Sequence, residues 1–189
     1  MSQLQYKPMT AAEFLAWEAK QELKWEFDGF QPVAMTGGTD VHAAIQGNLL
    51  TALNIRLRGQ RCYPRGPDMK VKIGSKYRYP DAFVSCTRVA PGATVAAEPV
   101  VIFEILLEGT ARTDRTTKLV EYQSLPSVQR YILLEQDQAL ATVIKRIETG
   151  WSIEVLDASG NLSMPEVEIE IAMAELYGGL DFTESVVGP

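Results

Sequence analysis

The sequence predicts an α/β domain in which helices flank a central mixed β-sheet. Three observations carry this. An amphipathic helix runs from Thr39 or Asp40 to about residue 58, a nearly all-apolar strand covers 100–107, and a helix over 112–124 crosses to a second apolar strand over 128–135. A strand that apolar is buried on both faces, as central strands between helical layers are. A helical connection of that length is what a parallel strand pair requires.

The elements follow in order. Thr10 with Glu13 makes a capping-box pattern, and Phe14, Leu15, Trp17 and Leu23 give an amphipathic helix over 11–23. Two short extended runs, 24–27 and 30–35, flank Asp28-Gly29, a strong hairpin pair. Gly37-Gly38 breaks the chain before the second helix, whose apolar face is Val41, Ile45, Leu49, Ala52, Leu53 and Leu57. Past Gly59 the pattern is extended: strands over 68–73 and 80–85 around a Gly74 turn, a Pro/Gly/Ala-rich loop through Pro91 and Gly92, then 100–107. Pro126 ends the crossover helix. Runs 139–149 and 151–156 form an antiparallel hairpin through Thr149-Gly150, and a strand over 167–171 precedes a short helix ending before Gly178. No repeat or linker interrupts the pattern, so residues 1–189 read as a single domain.

Composition narrows the function. Hydrophobic residues make up 46% of the 189, enough for a sizeable core. No uncharged run approaches the roughly eighteen apolar residues of a membrane span. Glu13, Glu18, Glu22 and Glu26 punctuate the segment where a signal peptide would lie, so a cytoplasmic location is expected. Cys62 and Cys86 form no CxxC pair and have His42 as their single histidine companion, which signals neither a disulfide nor a zinc site; reduced structural thiols are expected. The net charge of −6 argues against a broad basic coat for nucleic acid. Between Arg56 and Arg78, however, eight cations stand against Asp68 alone, a sector that either meets phosphates or is a solvated face.

Three residues converge on one chemistry: Asp81 after Pro80 at a strand start, Glu104 inside the apolar strand, and Lys118 on the following helix. Adjacent strands bring the carboxylates together, and the usual remedy for their repulsion is a divalent cation, with all-oxygen ligation suiting Mg²⁺ or Mn²⁺. The blander alternatives are a core-paired acid for Glu104 and a turn aspartate for Asp81. Asp114, Lys118 and Tyr122, at i, i+4 and i+8, share one helix face; the alternative is a surface ion pair with a tyrosine in the core. His42 is either a catalytic base or a cap residue. Trp17, Trp25 and Trp151 either stack on bases or pack in the core.

These segments carry a resemblance. Trp25-Glu26-Phe27-Asp28-Gly29, His42 opening a helix, Tyr79-Pro80-Asp81, Phe103-Glu104-Ile105-Leu106, and Thr110 with Asp114, Lys118 and Tyr122 resemble the Uma2 family, the former DUF820 group of bacterial and especially cyanobacterial proteins. The resemblance implies a restriction-endonuclease-like core with a PD-(D/E)XK-type, Mg²⁺-dependent, DNA-cleaving site. Asp81 and Glu104 would then bind metal, and Lys118 would replace a strand lysine, because Leu106 stands two residues after Glu104. Glu26 and His42 would lie at the pocket edge as further catalytic residues, Glu26 as an additional metal ligand, with Asp114 and Tyr122 in support. Phe30 and Leu107 depart from the family's usual acid and serine. The alternative function is a catalytically silent nucleic-acid- or protein-binding module on the same scaffold. A homodimer is the geometry by which one site would cut both strands of a duplex.

Overall fold

A computed structural model describes residues 8–35 and 37–182. Thr10 caps α1 (Ala11–Glu18) with the expected box: its hydroxyl accepts from Glu13 N and its own N–H donates to Glu13 Oε2. The helix is shorter than its pattern. Ala19 closes it through bonds to Leu15 O and Trp17 O, and Leu23 lies beyond it, 72% exposed. Next, β1 (Trp25–Phe27) and β2 (Pro32–Ala34) form the hairpin. Gly29 takes φ +95°, and Asp28 Oδ1 accepts from the N–H groups of Phe30 and Gln31. Thr39 caps α2 (Asp40–Leu57) by accepting from His42 N.

The extended region is more finely divided than its sequence pattern. It contains β3 (Tyr63–Arg65), β4 (Lys70–Ile73), β5 (Lys76–Arg78), β6 (Ala82–Ser85), β7 (Val95–Ala96) and β8 (Pro99–Ile105). Helix α3 (Ala111–Thr113) runs through a π turn (Asp114–Lys118) into α4 (Leu119–Gln123). Strands β9 (Arg130–Leu134), β10 (Ala141–Ile147) and β11 (Gly150–Leu156) follow, then a ribbon of β12 (Asn161–Met164) and β13 (Ile169–Ala172) around a 3₁₀ turn, and α5 (Met173–Leu176).

The six-stranded sheet has the order β11-β10-β9-β8-β6-β3 and is mixed: β8 and β9 run parallel, and the other pairs are antiparallel. The five-stranded sheet has the order β2-β1-β5-β4-β7. Strand alternation assigns the faces. Val101, Phe103 and Ile105 of β8 pack with Ile45, Leu49 and Leu53 of α2 and with Leu162, Ile171 and Met173 of the ribbon and α5. Ile102 points the other way, with Phe83 of β6, Tyr131 and Leu133 of β9, Tyr122 of α4, and Val71 and Ile73 of β4. Each fully buried chain of this size contributes about 1.5–3 kcal/mol of transfer free energy. Asp81 and Glu104 stand two residues from Phe83 and Ile102, and so open onto that second face.

One expectation is corrected. Cys62 and Cys86 are not free thiols: they form a disulfide. Strand β3 pairs antiparallel with β6, Tyr63 opposite Ser85, so the next position outward sets residue 62 against residue 86. That adjacency belongs to the sheet and leaves no trace in a separation of 24 residues.

Candidate functional site

Asp81 and Glu104 reach each other through strand register. Ala82 lies opposite Phe103, so one step outward faces Asp81 to Glu104, and Asp81 Oδ2 accepts from Ile105 N at 2.7 Å. The other oxygen, Oδ1, lies 3.0 Å from His42 Nε2 and is also reached by Gln46. His42 is held from behind by Gly38, where an added Cβ would stand 2.8 Å from His42 Nδ1. The backbone of His42 thus sits in the capped first turn while its ring meets Asp81.

Glu104 is buried at 4% exposure among apolar neighbours. Its Oε1 accepts from Lys118 Nζ and from Tyr122 O–H, each at 3.0 Å, while Oε2 has no protein donor among the described residues. Burial, first, drives the carboxyl's pKa well up; Lys118 opposes this, and the charges of Asp81, Asp114 and Glu26 add to it. Lys118 sits in a nest of acids: Glu104 and Asp114 at 3.0 Å, Glu26 at 3.4 Å. Burial disfavours its charge, but the three carboxylates outweigh that and raise its pKa, so it stays protonated. The pair Asp114–Lys118 is therefore internal, with the two residues 2% and 7% exposed, and not a surface bridge. Tyr122 is both core and ligand, fully buried with its hydroxyl on Glu104.

The π turn produces this alignment. In an α-helix, four residues overshoot a full turn by about 40°, so three residues spaced by four drift by about 80°. A π turn, with i→i+5 bonding and about 4.4 residues per turn, undershoots by about 33° over four residues and cancels the drift. Asp114, Lys118 and Tyr122 then share one line. Thr110 Oγ1 donates to Asp114 Oδ2, and Tyr131 O–H donates to Asp114 O. Asp114 Oδ1 is buried and depends on its ion pair with Lys118.

Glu26 arrives from the other sheet. Its Oε1 accepts from Tyr79 N and its Oε2 from Arg78, whose guanidinium also grips Glu121 through Nε and Nη2. Arg78 was one of the sector cations offered to phosphates; at 3% exposure it is an internal clamp between two acids. Lys70, also buried, is spent on Glu18 and Tyr79, and Lys76 and Arg56 pair with Glu121 and Glu175. The role of Arg78 had no sequence signal, since its partners lie 43 and 52 positions away. Trp17 and Trp25 pack edge to face and Trp151 lies under Arg146, so all three tryptophans serve packing.

Glu26, His42, Asp81, Glu104, Asp114 and Lys118 line one cavity of about 440 Å³, walled on its apolar side by Val33, Ala34, Met35, Ile105 and Leu107, while Tyr122 supports Glu104 from behind the wall. The cavity's donors are hard oxygens, and Glu104 Oε2, which accepts from no protein group among the described residues, belongs to the acid whose charge burial and its acidic neighbours most disfavour. That suits Mg²⁺ or Mn²⁺. Among the described residues no three His, Cys, Asp or Glu side chains form a metal cage. Mg²⁺ needs none, because it keeps several waters and takes one or two carboxylates with substrate phosphate.

Comparison with known proteins places the chain. Residues 11–174 match the Uma2 family model, described as "Putative restriction endonuclease". The chain belongs to the Uma2 family. Two similar relatives come from Synechocystis: the uncharacterized protein slr1290, 28% identical over 94% of this chain and 95% of that one, and the uncharacterized protein sll1609, 27% identical over 69% and 76%. The crystal structure of "a putative nuclease belonging to DUF820" from Anabaena variabilis superposes with a TM-score of 0.75 at 20% identity, covering 90% of this chain and 98% of that one. This Uma2 chain thus shares its mixed-sheet fold.

Proposed function

We propose that this single-domain Uma2 protein is a divalent-metal-dependent endonuclease that hydrolyses phosphodiester bonds of DNA in the cytoplasm. One observation carries the reading: two carboxylates, Asp81 and Glu104, are cross-strand neighbours at the base of a cavity, with a buried protonated lysine on the second. Asp81 and Glu104 would hold Mg²⁺ or Mn²⁺. When bound, the cation would supply charge at a phosphoryl oxygen and a more acidic water.

The remaining roles belong to the chain. Lys118, fixed as a cation by three acids, holds positive charge where the phosphorane would gain negative charge and cannot serve as a base. His42 and Ile105 N orient Asp81; Tyr122 orients Glu104; Glu26 and Asp114 hold Lys118 in place. In the net step water oxygen bonds to phosphorus, one P–O ester bond breaks, and the departing oxygen takes up a proton. Two copies would cut both strands of a duplex. Among the described residues no helix is long and apolar enough to cross a membrane.

The test is calorimetric titration of Mn²⁺ into the wild type and Glu104→Ala, with circular dichroism to confirm folding, followed by nicking of supercoiled DNA in Mg²⁺. Binding and nicking that both disappear in the variant are expected. A folded wild type that binds no Mn²⁺ refutes the metal reading. One observation favours a second reading, a silent binding module: Lys118 already neutralises Glu104 from within. That module would bind DNA in EDTA and keep its affinity in Glu104→Gln.

A further inference from the structure

Four sector cations, Arg56, Lys70, Lys76 and Arg78, are paired with acids, but among the described residues Arg58, just past α2, and Arg65 and Arg88 form no ion pair. There a second cavity of about 310 Å³ lies between the end of α2 and the β3–β6 edge, lined by Arg58, Arg65 and Arg88 with Asn54 and Gln60. Among the described residues no carboxylate lines it. Arg65 is preset: its guanidinium lies 4.1 Å over the Tyr63 ring, and one Nη donates to Pro64 O. Tyr63 in turn donates to Thr87 O, beside Arg88. The Cys62–Cys86 disulfide ties the two chain segments that carry Arg65 and Arg88, and Cys62 is part of the wall. Three arginines lining one hollow with no carboxylate in its wall suit an anion with several acceptor oxygens, to which each guanidinium can offer charge-assisted hydrogen bonds.

We infer that this arginine-lined cavity is a second, phosphate-binding site that grips the backbone of the nucleic acid presented to the carboxylates. The inference rests on the nuclease reading for its ligand. Asp81 and Cys86 flank the two ends of β6, so the two sites lie at opposite ends of one strand, and a nucleic acid long enough to pass both would be held at two points.

The test measures binding of a labelled twelve-base-pair duplex by fluorescence polarisation in EDTA, over a range of salt, for the wild type and the Arg58→Gln/Arg88→Gln double variant. Both arginines are exposed, so the variant keeps its fold. Binding about tenfold weaker is expected, because charge-assisted hydrogen bonds are removed, together with a salt slope shallower by about 0.9 for each phosphate that is no longer neutralised. Equal affinity and equal salt slope in the two proteins overturn the inference. Pyrophosphate serves as the small-anion probe: it should compete with the duplex, and pyrophosphate that binds without displacing DNA assigns the cavity to a free phosphate compound and overturns the strand grip. Because EDTA removes catalysis, failure of the carboxylate site leaves this assay intact: Asp81→Asn would abolish nicking yet retain the arginine-dependent binding.

Discussion

Lys118→Met removes one charge from the centre of the acid cluster while keeping an unbranched chain of similar length. Glu26 retains Arg78 and Tyr79 N, and Asp114 retains Thr110, but Glu104 is left with Tyr122 alone. Stripping the partner from a buried ion costs about 3–5 kcal/mol. At about 2–4 °C per kcal/mol for a chain of this size, the melting temperature falls by about 10 °C. The loss depends on pH, with a definite sign. Glu104's carboxyl pKa is raised in the folded protein by burial first and then by its acidic neighbours, so the folded state holds that proton more tightly than the unfolded chain. Stability tied to this group is complete below the ordinary carboxylate value and declines as pH rises through the folded one. Without lysine the folded carboxyl holds its proton still more tightly and the decline continues to higher pH, so the deficit of Lys118→Met is larger at pH 8 than at pH 5. Urea unfolding at both values measures it, and adding Glu104→Gln should recover part of the loss. A deficit under about 1 kcal/mol at pH 8, or one that grows on acidification, refutes the view of Lys118 as the cluster's internal counter-ion.

Three further outcomes are expected. Gly38→Ala drives a methyl toward the His42 ring, shifting it from Asp81; nicking slows by about tenfold to a hundredfold, while urea stability barely changes. An unaltered rate separates His42 from the chemistry. Reduction of Cys62–Cys86, closing a loop across 24 positions, lowers stability by about 3 kcal/mol. Alkylation of the unfolded protein should label both cysteines only after a reductant; labelling without one removes the disulfide. Burial pushes the Glu121 carboxyl up, but hydrogen bonds from Arg78 and Lys76 outweigh it and hold its pKa below the usual value. Its stabilisation is present above the ordinary carboxylate range and lost as pH falls through the lowered value, so Glu121→Gln destabilises at pH 7 and little near pH 3. Urea midpoints that differ equally at both pH values contradict this.

The parts of the fold visible in the sequence are those where one segment carries its own signal. The apolar run around Glu104 announced a central strand, and the helix behind it announced the parallel β8–β9 pair. The α2 face, its Thr39 cap and the Asp28-Gly29 hairpin were equally local. Strand β3 was hidden because Tyr63-Pro64-Arg65 has a proline at its centre and is made a strand by β6. Val95–Ala96 pairs with β4 from within a loop-like composition. The carboxylates could be nominated because each broke a pattern, Glu104 in an apolar strand and Asp81 after a proline. The clamp formed by Arg78 could not, since a buried arginine and a solvated one look alike until Glu26 and Glu121 are placed around it.

The π turn carries a consequence for reading this protein's relatives. A motif written as fixed spacings assumes one helical pitch throughout. Here the pitch changes between Asp114 and Tyr122, so the distance in sequence from Glu104 to the lysine that meets it is set partly by how the intervening helix is wound. A relative one residue shorter across the exposed Arg115–Thr117 stretch, wound as plain α-helix, would bring its basic residue to the same acid from a different column of an alignment. Insertions and deletions at this turn are therefore exchanges of pitch for length, and searches for the lysine should follow the face of the helix, not the count.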